Sequence, residues 1–86
     1  MEVEEFLKSV GERIAKVREF RGMTRRELGL ASGMKEASAN AGVYSVETAG
    51  MGTQIDTIFR IANALAVSPG FLLDGGELTI STTTTV

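Results

Sequence analysis

Apolar positions recur at helical spacing along most of the chain, and glycines and small polar residues interrupt them. Phe6, Val10, Ile14 and Val17 follow one another at intervals of four, four and three, with Leu7 beside them. That period aligns one face of a helix, predicted here from Val3 to Arg21. Lys16, Arg18 and Arg21 fall in its last turn, where cations suit the negative end of the helix dipole. Gly22 follows as a residue that takes the left-handed backbone without steric cost. Thr24 and Glu27 then form a capping box, the hydroxyl accepting an orphan amide while the carboxylate reaches back. They open a short helix from Arg25 to about Ser32 that is expected to bury Leu28 and Ala31, and Gly33 closes it. Helix, glycine, capping threonine, short helix, glycine is the start of a helix-turn-helix pattern.

Beyond Gly33 the pattern weakens, then recovers. Ala39, Val43 and Val46 share one face at helical spacing, whereas Asn40, Tyr44, Ser45 and Thr48 lie off it. Gly42 lowers local helix propensity by roughly 1 kcal/mol relative to alanine, so this helix either leans on packing or starts late. Ala49-Gly50-Met51-Gly52 ends it. The next helix, Thr53 to about Leu65, has the stripe Ile55, Ile58, Ala62 and Leu65 with Phe59 flanking. Ser68-Pro69 opens a last short helix in the favoured order of cap then proline. It carries Phe71, Leu72 and Leu73 before Asp74-Gly75-Gly76 stops it. Met34, Met51 and Phe71 read as core or interface fillers, methionine being suited to irregular gaps. The tail 77–86 is rich in β-branched threonines and reads as an extended strand or a disordered end. The expectation is an all-α domain over residues 1–76 followed by that tail.

Composition narrows the chemistry. The 86 residues contain no cysteine, histidine or tryptophan. A disulfide scaffold, a thiol nucleophile and thiolate metal sites are therefore excluded. Without histidine the commonest general base and metal ligand is missing too. No phosphate loop or nucleophile motif is present, so an enzyme, a metal site or a cofactor is not expected. No apolar run reaches membrane-spanning length, and a reducing cytoplasm fits the lack of cysteine.

The formal net charge of −2 conceals a segregation. Residues 1–7 carry −3, residues 8–35 carry +5, and residues 36–86 carry −4. Eight of the nine basic residues lie in the middle stretch, on the first two helices and the turn after them. Such a cluster is either the ordinary surface of solvated helices or a face that meets phosphates.

Taken together, Val10-Gly11-Glu12-Arg13-Ile14, Val17-Arg18, Arg21-Gly22-Met23-Thr24-Arg25-Arg26-Glu27-Leu28 and Ala31-Ser32-Gly33-Met34 resemble the first two helices of the phage repressor and Cro type helix-turn-helix family, the XRE family. Val43-Tyr44-Ser45-Val46-Glu47, the run from Ile55 to Pro69, and Phe71-Leu72-Leu73-Asp74-Gly75-Gly76 resemble its later helices. The resemblance covers roughly residues 10 to 76 and implies a five-helix bundle whose second and third helices bind DNA. It also implies an ion pair between an arginine late in helix 1 and a glutamate ending helix 3, here Arg18 and Glu47. The alternative is two separate surface charges.

Between Gly33 and Glu47 this chain is about four residues longer than the usual family segment, close to one helical turn. Either helix 3 gains a turn at its start, or the preceding turn lengthens with Ser38 as cap. Anchored on Glu47, the base-facing positions implied by the family are Asn40, Ala41, Tyr44 and Ser45. Asparagine can bond bidentately to adenine, and Tyr44 or Ser45 can touch phosphates or base edges. Asn40 reads alternatively as a helix cap, and Tyr44 as a residue packed on a partner subunit. Arg25 or Arg26 is placed to clamp a phosphate or reach a guanine. Thr24, Lys35 and Ser38 complete that side, and Thr53 would meet phosphate at the start of helix 4.

The leading expectation is a transcriptional regulator, of repressor or antitoxin type. It would bind double-stranded operator DNA as a homodimer, with third helices in successive major grooves. The alternative keeps the fold and drops the DNA. An adaptor, antirepressor or anti-regulator would use the alanine- and glycine-rich third helix, with the tail adding to a partner's sheet edge.

Overall fold

The computed structural model describes residues 2–48 and 54–75, and these form five α-helices with no strand. They are α1 (Val3–Phe20), α2 (Arg25–Ala31), α3 (Glu36–Thr48), α4 (Ile55–Leu65) and α5 (Pro69–Asp74). The all-α expectation therefore holds, and the tail 77–86 lies outside the described residues. The boundaries follow local chemistry. Thr24 Oγ1 accepts the Glu27 amide at 3.0 Å while Glu27 Oε1 accepts the Thr24 amide at 2.8 Å, so the capping box forms. Ser68 Oγ accepts the Phe71 amide at 3.1 Å, with Pro69 at the first helical position.

One core gathers all five helices. Val10 and Ile14 from α1, Leu28 from α2, and Val43 and Val46 from α3 meet Ile58, Ile61, Ala62 and Leu65 from α4 and Leu72 from α5. Met34 and Phe71 pack against it as partly buried fillers. Met34 lies over Gly42, which is how a glycine is accommodated inside α3. The helix leans on packing rather than starting late.

Three expectations about burial change. Ala31 is exposed, and Ser32 takes the inward place instead, its hydroxyl donating to the Leu28 carbonyl at 2.8 Å. The reason is the 3.6-residue period: position 32 returns closer to Leu28 than position 31 does. Ile55 is exposed because it sits a turn before the core, at the open end of α4, while Ile61 is fully buried. Phe6 is likewise only partly covered, so the α1 stripe enters the core from Val10 onward.

The α1 cations also serve elsewhere than expected. Arg21 Nε donates to the carbonyl of Leu65, the last residue of α4, at 2.9 Å. Arg13 Nη1 donates to the Leu72 carbonyl in the last turn of α5 at 2.7 Å. Each guanidinium thus satisfies an orphan carbonyl at the C-terminal end of another helix, where a cation also suits the dipole.

Candidate nucleic-acid interface

Three helices are locked together around one carboxylate. Glu47, in the last turn of α3, accepts Arg18 Nε from α1 at 2.6 Å on Oε2. Its other oxygen accepts Arg25 Nε from α2 at 2.9 Å and Arg18 Nη2 at 3.4 Å. Arg18 Nη1 donates to the Met23 carbonyl at 2.9 Å. The side chains of Arg18 and Glu47 are 9% and 2% exposed, so the two charges are removed from water together. A buried charge is tolerable only when paired and hydrogen-bonded, and both conditions are met. The cluster fixes where α3 ends relative to the end of α1 and the start of α2.

The turn between α2 and α3 is short. Gly33 adopts the left-handed backbone at φ +91°, and the Met34 amide donates to the Gly29 carbonyl at 2.9 Å. Helix α3 then begins at Glu36. Most of the segment between Gly33 and Glu47 is therefore helix, and only residues 34 and 35 separate Gly33 from its start. Ser38 is not the cap: it lies within the first turn of α3, and its hydroxyl donates to the Lys35 carbonyl at 3.4 Å. Asn40 is not a cap either, since it sits inside the helix.

The outer face of α3 carries the residues the sequence singled out. Asn40, Ala41, Tyr44 and Ser45 are all exposed, and Asn40 and Tyr44 stand one turn apart. Tyr44 is 52% exposed, and the Arg25 guanidinium lies 5.1 Å from its ring centroid. Arg25 is thus held from two sides, by the Glu47 carboxylate and by the face of Tyr44. Thr24 is exposed before the start of α2 and Lys35 before the start of α3, and Thr53 lies outside the described residues.

Glu36 is the residue that sequence reasoning passed over. It is exposed at the start of α3, and its carboxylate accepts from Arg26 Nη2 and, at 3.0 Å, from Arg26 Nε. That hydrogen bond and the Glu36 charge hold the Arg26 guanidinium above its usual value. A signal was available, because Arg26 and Glu36 bracket a turn that folds α3 back beside α2. Both α2 arginines expected to meet DNA are therefore engaged by glutamates of α3. Among the described residues, Lys8, Lys16 and Lys35 form no ion pair. No group of side chains suited to a metal ion occurs among the described residues, and no described helix is long and apolar enough to cross a membrane. No family model, curated protein or solved structure matches the chain.

The surface has a definite electrostatic consequence. Removing the Glu36 charge would leave Arg26 uncompensated and delete an acid from the face that would approach phosphates. If this face meets duplex DNA, Glu36→Gln is expected to tighten that binding severalfold at low salt and to steepen the salt slope by about one unit, one further phosphate being neutralised. Unchanged affinity and slope would show that Arg26 does not face the duplex.

Proposed function

We propose that this chain is a sequence-specific DNA-binding transcriptional regulator of the repressor and Cro type, acting as a homodimer on a near-palindromic operator. An antitoxin-type repressor is the same reading with a protein partner added. The observation that carries it is the exposed polar face of α3, held beside the start of α2 by Glu47. A helix that is apolar on its inner face and offers Asn40, Tyr44 and Ser45 outward suits a major groove, which admits one helix. Its small residues, Ala37 and Ala41, let the helix backbone come close to base edges.

In this reading each residue has a separate task. Asn40 offers a donor and an acceptor in the geometry that matches adenine, so it reads sequence. Tyr44 and Ser45 supply hydroxyls for phosphate or base edges. Lys35 and Arg26 neutralise phosphates, Arg26 after exchanging Glu36 for the backbone of the duplex. Arg25 keeps Tyr44 in place while its outer nitrogens remain available. Because α3 itself contributes no cation, affinity would be modest and most of the discrimination would come from hydrogen bonds.

The experiment is selection of bound duplexes from a randomised pool, followed by titration of the selected site against salt. Binding is expected to weaken with a log–log slope near −0.9 for each phosphate neutralised. Asn40→Ala is expected to cost about 1–3 kcal/mol at the selected site and to relax preference at one A·T position. A pool that yields no enriched sequence, with no retention of any duplex at low salt, would overturn the proposal.

A further inference from the structure

At the N-terminal end of α1 the surface is of another kind. A groove of about 100 Å³ is lined by Phe6, Leu7 and Val10 of α1, Ile55 and Ile58 of α4, and Leu73 of α5, among others. Of its lining, Phe6 is 36% and Ile55 74% exposed, and one turn from each on the same helix Val3 and Phe59 are 71% and 54% exposed. Single exposed apolar residues are ordinary, but a joined set beside an apolar groove marks a contact surface. Glu2 caps α1, and Glu4 and Glu5 lie in its first turn, all three exposed. Lys8 stands one turn on from Glu4 and Glu5 but forms an ion pair with neither. Across the groove, Asp56 is only loosely paired with Arg60, at 3.7 Å.

This end is distinct from the α2–α3 face. Phe6 and Arg18 are twelve residues apart in α1, about 18 Å along the axis. One helix thus has an acidic, apolar end and an end whose arginines are committed to other helices.

We propose that this groove docks a basic amphipathic helix from a partner protein, with its apolar stripe against Phe6, Ile55 and Phe59 and its lysines or arginines over Glu2, Glu4 and Glu5. Charge chooses the occupant. A second copy joined through this same end would gather both sets of three glutamates into one interface without adding a cation from the first turn of α1, and like charges brought together are unfavourable. An anionic membrane surface is repelled in the same way. A helix with a narrow apolar stripe and a cationic flank matches both features at once.

The test uses the full chain and a fluorescein-labelled synthetic helix with leucines at i, i+3, i+4 and i+7 and lysines elsewhere, beside a version with glutamates for the lysines. Saturable one-to-one binding of the lysine helix alone is expected. Ile55→Glu is the decisive variant, since Ile55 is exposed and its replacement adds an acid. If attraction were merely electrostatic, this variant would bind the lysine helix more tightly. Apolar docking instead makes it bind about 10-fold more weakly or worse, because the contact of a large apolar side chain is lost. The pair of changes Glu4→Gln and Glu5→Gln is expected to weaken binding severalfold at low salt and little at high salt. Equal binding of the two helices, or unchanged or tighter binding by the Ile55→Glu chain, would overturn the proposal. So would a stable dimer that dissociates on Ile55→Glu, or tighter binding after removal of residues 76–86, for these make a second copy or the chain's own end the occupant. Helical circular dichroism matching the parent establishes that each variant is folded.

Discussion

Glu47→Ala is expected to lower the stability of the domain by about 3–5 kcal/mol, because it leaves the Arg18 guanidinium buried without its counter-charge. In a domain of this size each kcal/mol moves the midpoint of thermal unfolding by about 4–8 °C, so the melt should fall by at least about 12 °C. Arg18→Ala should cost a comparable amount, stranding the carboxylate instead, although Arg25 still reaches Glu47 at 2.9 Å and softens that loss. The size of the effect comes from breaking the pair and not from its net worth. Charges taken out of water together often contribute little relative to well-packed apolar side chains. Replacing both, as Arg18→Met with Glu47→Leu, is therefore expected to cost much less than the two single alanine changes summed. Thermal or denaturant unfolding of the set checks this. A Glu47→Ala chain that melts within a few degrees of the parent would refute the buried cluster as the joint between α1, α2 and α3.

Gly11→Ala and Gly29→Ala are expected to destabilise by about 1–3 kcal/mol even though alanine favours a helix by about 1 kcal/mol over glycine. A Cβ at Gly11 would stand 2.3 Å from the Glu47 carbonyl oxygen and 2.6 Å from that of Val46. At Gly29 it would meet the Ala39 carbonyl oxygen at 2.6 Å and the Ala39 Cβ at 2.7 Å. These neighbours are backbone or fixed to it, so no rotamer change relieves the overlap and whole helices must separate. Gly11→Ala pushes α1 from the end of α3 and strains the Arg18–Glu47 pair. Gly29→Ala changes how α3 sits on α2. Gly70→Ala is the control: nothing lies within 4 Å of its Cβ, and it should be neutral or stabilise by about 0.4–1 kcal/mol. Urea unfolding of the three variants decides the matter, and equal midpoints for Gly29→Ala and Gly70→Ala would contradict the close approach. If α3 reads DNA, Gly29→Ala should also weaken operator binding at temperatures where it stays fully folded.

The helices themselves were legible because each carries its own local information. Thr24 with Glu27, and Ser68 with Pro69, are start signals that act within four residues, and they form as read. The face of α3 was legible as well: Ala39, Val43 and Val46 turn inward, which leaves Asn40, Ala41, Tyr44 and Ser45 outside. Harder to read was the segment from Gly33 to Glu47, where two outcomes had similar local cost. Extending the helix to Glu36 prevails because Met34 packs over Gly42 and Ala39 closes on Gly29, contacts between segments that no local propensity contains. Ala31 and Ile55 were misplaced for a related reason. A short helix has few turns over which its period can be averaged, and the end of a stripe extends past the core it serves.

By itself the sequence determined five helices, one polar helix face, and a chain whose charge divides into acidic, basic and acidic stretches. Only the tertiary structure decided what the basic stretch does. Periodicity reports which way a side chain points around its own helix, whereas the long arginine side chain bonds to whatever another helix presents. Arg18 and Arg25 converge on Glu47, Arg26 meets Glu36, and Arg13 and Arg21 close the ends of α5 and α4. Five cations that looked like a phosphate-binding surface are largely the internal ties of the bundle. Among the described residues, an apolar groove opens beside Glu2, Glu4 and Glu5, because the α1 stripe begins before the helices that cover it from Val10 onward.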